Sequence, residues 1–424
     1  MLGKKSSTIL VVLAFSLYVS KENSSIAPIS MIIGSLSCGS ILDSYGRRAT
    51  HIILGGPFII GWAIIACANS TIIILVGRFI SGLSSGANKS VTMVYIGEIA
   101  DPRIRAAALF LPGVMTNTGI LFSHVVGYYF PWKTSAIILL VPALISSISF
   151  LFLKESPLWL IVKGRTEEGI DAFRWFRGIG DASEAELKSV LESQSEKPNM
   201  TIRETLNIVC TKAFIKPLLI LVVVMVNVQF SGVTVLNFYA EDIFKNAFSS
   251  NVDPFILMTA MDFIRSIASV IICLIGKFIP KKPSFVISSF GVTLCCSGLV
   301  TCFMINYVNF IWVPVLCLIL YICFSSAIVT IGWTFVPEVL PNNARGLGSG
   351  IISSLSYILL FSICKTLPGF VQLYSETALF AFFGISTLIC GVIVCFVLPE
   401  TNGKTLQSIE DSFTVKIKEE QSVL

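Results

Sequence analysis

The sequence predicts an all-α membrane protein of about 12 transmembrane helices in two bundles of about six each. Three observations predict it. Apolar runs of roughly 18–25 residues follow one another along nearly the whole chain. One long charged stretch, 154–213, interrupts them midway and opens with Lys154-Glu155-Ser156-Pro157-Leu158-Trp159-Leu160. The order of charged residues at the ends of the runs is repeated in the two halves. A six–loop–six layout is that of transporters whose bundles rock against each other around a site between them.

Composition agrees. Of 424 residues, 54% are hydrophobic and 13% charged, with a mean hydropathy of +0.83. Soluble domains carry about 25% charged residues, so a bilayer is the natural solvent. The net charge of +5 is spread over short loops rather than gathered in one patch, which argues against nucleic acid as a partner. Two histidines are too few for a histidine metal site. The 12 cysteines are scattered singly, apart from Cys295-Cys296, and read as small buried hydrophobes. No GxxxxGK[ST] loop, catalytic triad or metal cluster is present, so neither an enzyme nor a cofactor is implied. Lys4 and Lys5 precede a short apolar run, but no small-residue cleavage site follows, so no cleavable signal peptide is expected.

The first predicted span, 7–20, is the shortest; about 14 residues reach only about 21 Å. The remaining first-half spans fall at 25–42, 51–68, 71–97, 106–130 and 134–153. Those of the second half fall at 214–240, 254–278, 283–306, 310–337, 345–367 and 376–398. The expected organisation is a first bundle over 1–153, a linker over 154–213, a second bundle over 214–398 and a tail over 399–424. The linker holds two amphipathic charged patches, 167–177 and 184–192, which read as short interfacial helices. Lys and Arg set the orientation. Arg47, Arg48, Arg103, Arg105, the linker, Lys277, Lys281, Lys282, Arg345 and the tail lysines fall on one side; Lys21, Lys133 and Lys245 fall on the other. The richer side is expected in the cytoplasm, with both termini. Asn23-Ser24-Ser25 then lies in the first outside loop, where Asn23 is a glycosylation candidate.

The repeated charges run Asp43, Arg47, Arg48, Glu98, Arg105, Glu155 in the first half and Lys281, Lys282, Glu338, Arg345, Glu400 in the second. Seven residues separate Glu98 from Arg105 and also Glu338 from Arg345. The halves read as copies of one unit, with each charge where a helix meets the cytoplasmic interface. Positive-inside topology accounts for basic residues but not for the acids. The expected role is a latch in which Glu98 and Arg105 engage Glu155, and Glu338 and Arg345 engage Glu400, in one state of the bundle.

With these residues in view, the chain resembles the sugar-porter branch of the major facilitator superfamily. Within it, the chain is similar to the facilitated trehalose transporters of insects. The motifs are Gly39-x-x-x-Asp43-x-x-Gly46-Arg47-Arg48, Gly77-Arg78, Tyr95-x-x-Glu98, and Glu155-Ser156-Pro157-x-Trp159-Leu160 with Lys163-Gly164-Arg165. They continue with Gln229-x-Ser231-Gly232, Phe238-Tyr239, Trp333, Glu338 with Arg345-Gly346, Lys365-Thr366 and Pro399-Glu400-Thr401-x-Gly403-Lys404. The resemblance implies a major facilitator fold, alternating access, and movement of an uncharged sugar of the trehalose or hexose class through a plasma membrane. It adds Arg78 to the cytoplasmic charge network. A non-transporting sugar sensor or a degenerate transporter-like protein is the alternative.

The departures from the family bear on the substrate. The paired glutamines of the seventh span read Val228-Gln229, and the following Asn is Thr234. The fifth-span Gln position holds Gly113, the eighth-span amide position holds Arg265, and the eleventh-span Asn-Trp pair reads Ser356-Tyr357. Each hydroxyl of a desolvated sugar needs a partner. The expected substrate-binding set is therefore Gln229, Thr234, Trp333, Arg265, Ser356 and Tyr239, with Trp333 as a stacking face and Tyr239 as an outside gate. Asp262, one turn before Arg265, is expected to neutralise it. His124 reads as a bonded histidine rather than a proton carrier. Gly77, Gly82 and Gly86 read as close helix contacts.

Overall fold

The computed structural model describes residues 26–195, 211–232, 254–276, 278–305, 312–341, 345–404 and 408–409. The first predicted span, Asn23, Thr234, Tyr239 and Lys277 lie outside them. The first half contains α1 (Ile26–Tyr45), α2 (Arg47–Cys67), α3 (Thr71–Ile99), α4 (Arg105–Tyr129) and α5 (Trp132–Ser149). The linker forms α6 (Pro157–Val162), α7 (Thr166–Arg177) and α8 (Asp181–Ser195). The second half contains α9 (Lys212–Phe230), α10 (Pro254–Ile275), α11 (Lys281–Met304), α12 (Trp312–Val339), α13 (Arg345–Tyr374) and α14 (Glu376–Val397). Among the described residues, 10 helices are long and apolar enough to cross a membrane, and no strand occurs.

The helices turn large apolar side chains outward, among them Ile72, Leu294, Phe152 and Phe396, each more than 70% exposed. In water this would be a fault; in a bilayer it is the lipid-facing belt. Inside, hydroxyls return their protons to the preceding turn, as Ser289 does to Phe285 O and Ser325 to Tyr321 O. α13 runs seven residues past the predicted end at 367, straight through Pro368-Gly369. A proline removes one helical hydrogen bond, a loss that a buried membrane helix tolerates.

α3 is the centre of the first half and packs on α1 and α2. Its glycines permit this. A Cβ on Gly77 would lie 2.8 Å from the Gly61 carbonyl oxygen of α2, and one on Gly86 would lie 2.2 Å from the Met31 carbonyl oxygen of α1. Both obstacles are backbone and cannot swing away. Gly86→Ala is therefore expected to cost about 1–3 kcal/mol of overpacking. It should lower the melting temperature of detergent-purified protein, while Gly56→Ala, with nothing within 4 Å, should leave it unchanged.

The halves meet along two seams. α1 packs against α13, and α4 against α10. These are spans two with eleven and five with eight, so each seam is the counterpart of the other under exchange of the halves. Ser35 and Ser354 share a 2.7 Å hydrogen bond across the first seam. At the second, the Tyr128 and Phe255 rings stack at 3.6 Å near one end, and Phe110 packs on Gly276 near the other. α3 and α4 also touch α12.

The linker helices clamp the charged end of the first half. Ser156 caps α6 by accepting from Trp159 N, and Pro157 supplies the preset first turn. The Trp159 indole donates to Asp43 O at 3.1 Å, at the end of α1. Arg177, at the end of α7, donates to the last carbonyls of α3, those of Glu98 and Ala100, at 3.1 and 3.2 Å. On the linker surface, hydrogen bonding to Arg165 holds Glu168 below the ordinary carboxylate range.

Candidate functional site: a charged latch and a polar seam

The repeated charges do converge at one end of the bundle, here called the basic end. In the first half, Arg47 at the start of α2 grips Glu98 at the end of α3 with two donors, at 2.8 and 2.9 Å. Ser156 Oγ donates to the same carboxylate. Arg47 also lies 3.7 Å from Asp43. Glu155 does not pair with Arg105 as the sequence predicts. Its carboxylate accepts from the backbone N–H groups of Arg47, Arg48 and Ala49 at 2.7–3.2 Å, capping α2. Free N–H groups at a helix start present as good a partner as a guanidinium. Gly46, at φ +96°, passes beside this carboxylate where a Cβ would meet it at 2.6 Å. Arg48 donates to the Phe150 and Leu151 carbonyls.

The second half repeats the arrangement in weaker form. Glu400 accepts from the N–H groups of Lys281 and Lys282 at 3.2 and 3.1 Å, capping α11. Glu338 takes the Lys281 ammonium at 2.6 Å. A lysine gives one point contact where Arg47 gives a fork. The predicted partnership of Arg345 with Glu400 is likewise replaced: Arg345 crosses to the first half and lies 3.8 Å from Glu98. Arg105 crosses the other way, donating to Lys404 O at 3.4 Å and lying in electrostatic reach of Glu338. Asp43 sits against the first turn of α13, where a Cβ on Gly346 would be 2.4 Å from its carboxylate. An anion at a helix N-terminus is favourably placed. Arg78 does not belong to this network. It stands 21 residues before the end of α3, about 31 Å from the basic end.

Further from the basic end lie the described members of the expected binding set. Gln229 on α9 donates to Ser356 Oγ on α13 at 2.6 Å, and its own Oε1 is buried with no partner. Trp333 is 3% exposed on α12. Its ring carries the ammonium of Lys89, 3.7 Å from the centroid. Ser326, Thr330 and Trp333 share one face of α12 at helical spacing. Thr330 meets α4 at Gly113, and the Ser326 and Thr330 hydroxyl oxygens are buried without partners. Arg265 and Asp262 are 4% and 3% exposed on α10 and lie 3.4 Å apart. The same carboxylate meets His124 Nδ1 of α4 at 2.5 Å. The pair foreseen within one helix is thus a three-residue cluster joining the halves.

Sequence reasoning passed over Lys89, the Ser90–Ser353 hydrogen bond of 2.6 Å between α3 and α13, and Arg177. A lysine inside an apolar span was the available signal, because intramembrane charges are expensive and mark function. Among the described residues no cluster of His, Cys, Asp or Glu is arranged to hold a metal.

The comparisons agree with this fold. The chain is 30% identical over 408 residues to the facilitated trehalose transporter Tret1 of Apis mellifera ligustica, covering 94% of this chain and 80% of that protein. It is 29% identical over 404 residues to Tret1 of Polypedilum vanderplanki, again covering 94% of this chain and 80% of that protein. Among solved structures, the proton:xylose symporter XylE bound to 6-bromo-6-deoxy-D-glucose superposes with a TM-score of 0.82 at 18% identity, covering 96% of this chain and 95% of that one. The inward-open xylose transporter XylE from E. coli gives 0.67 at 18% identity, with 95% of each chain covered. The family described as sugar (and other) transporter matches residues 18–413, and the chain belongs to it.

Proposed function

We propose that the chain carries a sugar of the trehalose or hexose class across the plasma membrane by alternating access, its basic end and both termini in the cytoplasm. Residues 1–153 and 214–398 are the two moving units, and 154–213 is the linker between them. The observation that carries this reading is the crossing of charges at the basic end. Arg345 reaches Glu98, and Arg105 reaches the segment after α14. Such contacts hold one end shut in one state and must part in the other. The seam above them carries Gln229, Ser356, Thr330 and Trp333, whose polar atoms and ring suit a polyhydroxylated ligand.

Transport is expected to be a uniport, since 7–20 contains no Asp, Glu or His. In cells lacking their own sugar carriers, radiolabelled trehalose or glucose should equilibrate to the outside level and no further. A protonophore should not change the end point. Accumulation above the outside level that collapses with the proton gradient would overturn uniport, and no uptake of any sugar would favour the sensor.

A further inference from the structure

We propose that Lys89 makes the seam selective for a sugar carrying a negative charge, a carboxylate or a phosphate ester, over a neutral one. The proposal rests on the sugar-transport reading and narrows its substrate class. Lys89 stands 10 residues before the end of α3, and Arg265 stands 10 residues before the end of α10. At the helical rise both lie about 15 Å from the basic end. Two cations thus occupy one level of a membrane protein. Arg265 has Asp262 beside it, and Asp262 is also engaged by His124. Lys89 makes no ion pair among the described residues. Its ammonium rests on the Trp333 face, across the boundary between the halves. A ring quadrupole compensates a desolvated ammonium only in part. With Lys89 protonated, the seam at this level carries one positive charge in excess.

That excess decides between ligands. A neutral pyranose that is to stack on Trp333 must first displace the ammonium from the ring and leave it with no counter-charge. An anionic sugar pairs with the ammonium where it stands. The Ser326 and Thr330 hydroxyls, about two turns and one turn from Trp333 on the same face of α12 and buried without partners, are then available to its hydroxyls. A bound anion also removes the cost of an intramembrane cation, which gives it the larger share of the binding energy. The loss of the amide at Gly113 fits the same economy, because charge rather than a ring of amides orients the ligand.

The test uses purified full-length protein in liposomes with four radiolabelled probes: glucuronate, glucose 6-phosphate, glucose and trehalose. Wild type is expected to take up one of the anions on the order of tenfold faster than either neutral sugar, and the preferred anion tells carboxylate from phosphate. Lys89→Gln should abolish that preference, whereas Lys89→Arg should keep it. Neutral sugars moving as fast as the anions, with Lys89→Gln unchanged, would overturn the proposal and leave sugar transport standing. If no probe moves, the transport reading falls, and thermal stabilisation of the solubilised protein by the same probes decides the anion site. Stabilisation by an anion in wild type but not in Lys89→Gln supports it; equal or absent shifts overturn it.

Discussion

Glu98→Gln is expected to loosen the basic end and to cut sugar uptake on the order of tenfold or more. Glu98 is 2% exposed and serves both halves at once. It accepts the fork of Arg47 and the Ser156 hydroxyl from its own half, and it faces Arg345 from the other. The amide keeps the shape but removes the charge that faces two buried guanidinium groups, those of Arg47 and Arg345. Breaking such a pair from one side costs about 3–5 kcal/mol. Only the part that differs between access states biases the transporter, and a coupling of about 1–3 kcal/mol shifts the equilibrium roughly 5–150-fold. Hydrogen exchange should therefore accelerate in the first turns of α13 and the last turn of α3. Arg345→Ala removes the crossing contact and leaves the Arg47 grip intact, so it should quicken exchange at the same helix ends. Unchanged exchange at α13 in both variants would show that the crossing charges do not hold the end shut.

The fold was legible because its signals are coarse and repeated. Apolar runs longer than any aqueous core requires give the spans, and the equal spacing of Glu98–Arg105 and Glu338–Arg345 gives the two-fold repeat. The partners were not legible, because sequence order lists charges without saying which meet. Glu155 and Glu400 follow Arg105 and Arg345 in the order of charges, yet each turns to the free N–H groups of α2 and α11. Arg78 was placed with the cytoplasmic charges by resemblance alone; counting along α3 puts it far from them. Lys89 illustrates the opposite failure. A span average dilutes one charge among many apolar residues, so hydropathy passes over a charge placed inside a span. Trp333 was read as an open stacking face, and nothing in its own neighbourhood of sequence points to a lysine some 240 residues earlier that covers it.

The halves also differ in a way that bears on direction of movement. The first half closes its corner with a forked arginine and a second hydroxyl donor on Glu98; the second closes its corner with the single Lys281 contact. The crossing contacts therefore tie a rigid corner to a softer one. Reorganisation on opening is expected to fall mainly on α11, α12 and the segment after α14.

Asp262→Asn is expected to have the largest effect on the folded protein of any change in the seam. Asp262 engages Arg265 through one oxygen and holds His124 of the other half through its second. The substitution takes the carboxylate's charge away from a guanidinium that is 4% exposed within a membrane span. The expected loss is about 3–5 kcal/mol, seen as a lower melting temperature in detergent and less protein at the cell surface. Arg265→Gln alone should be milder, because the carboxylate left behind keeps His124 as a partner. The double change, Asp262→Asn with Arg265→Gln, removes both charges and should recover most of the stability, since replacing a buried pair as a whole costs far less than breaking it. Uptake in the double variant then isolates the chemistry from the fold. Faster movement of neutral sugar would mean that Arg265 obstructs the ordinary amide-lined site. Lost uptake of every sugar, with the protein stable and at the surface, would place the guanidinium on the ligand. If Asp262→Asn leaves the melting temperature unchanged, the cluster of Asp262, Arg265 and His124 does not hold the halves together, and the seam between α4 and α10 depends on its packing alone.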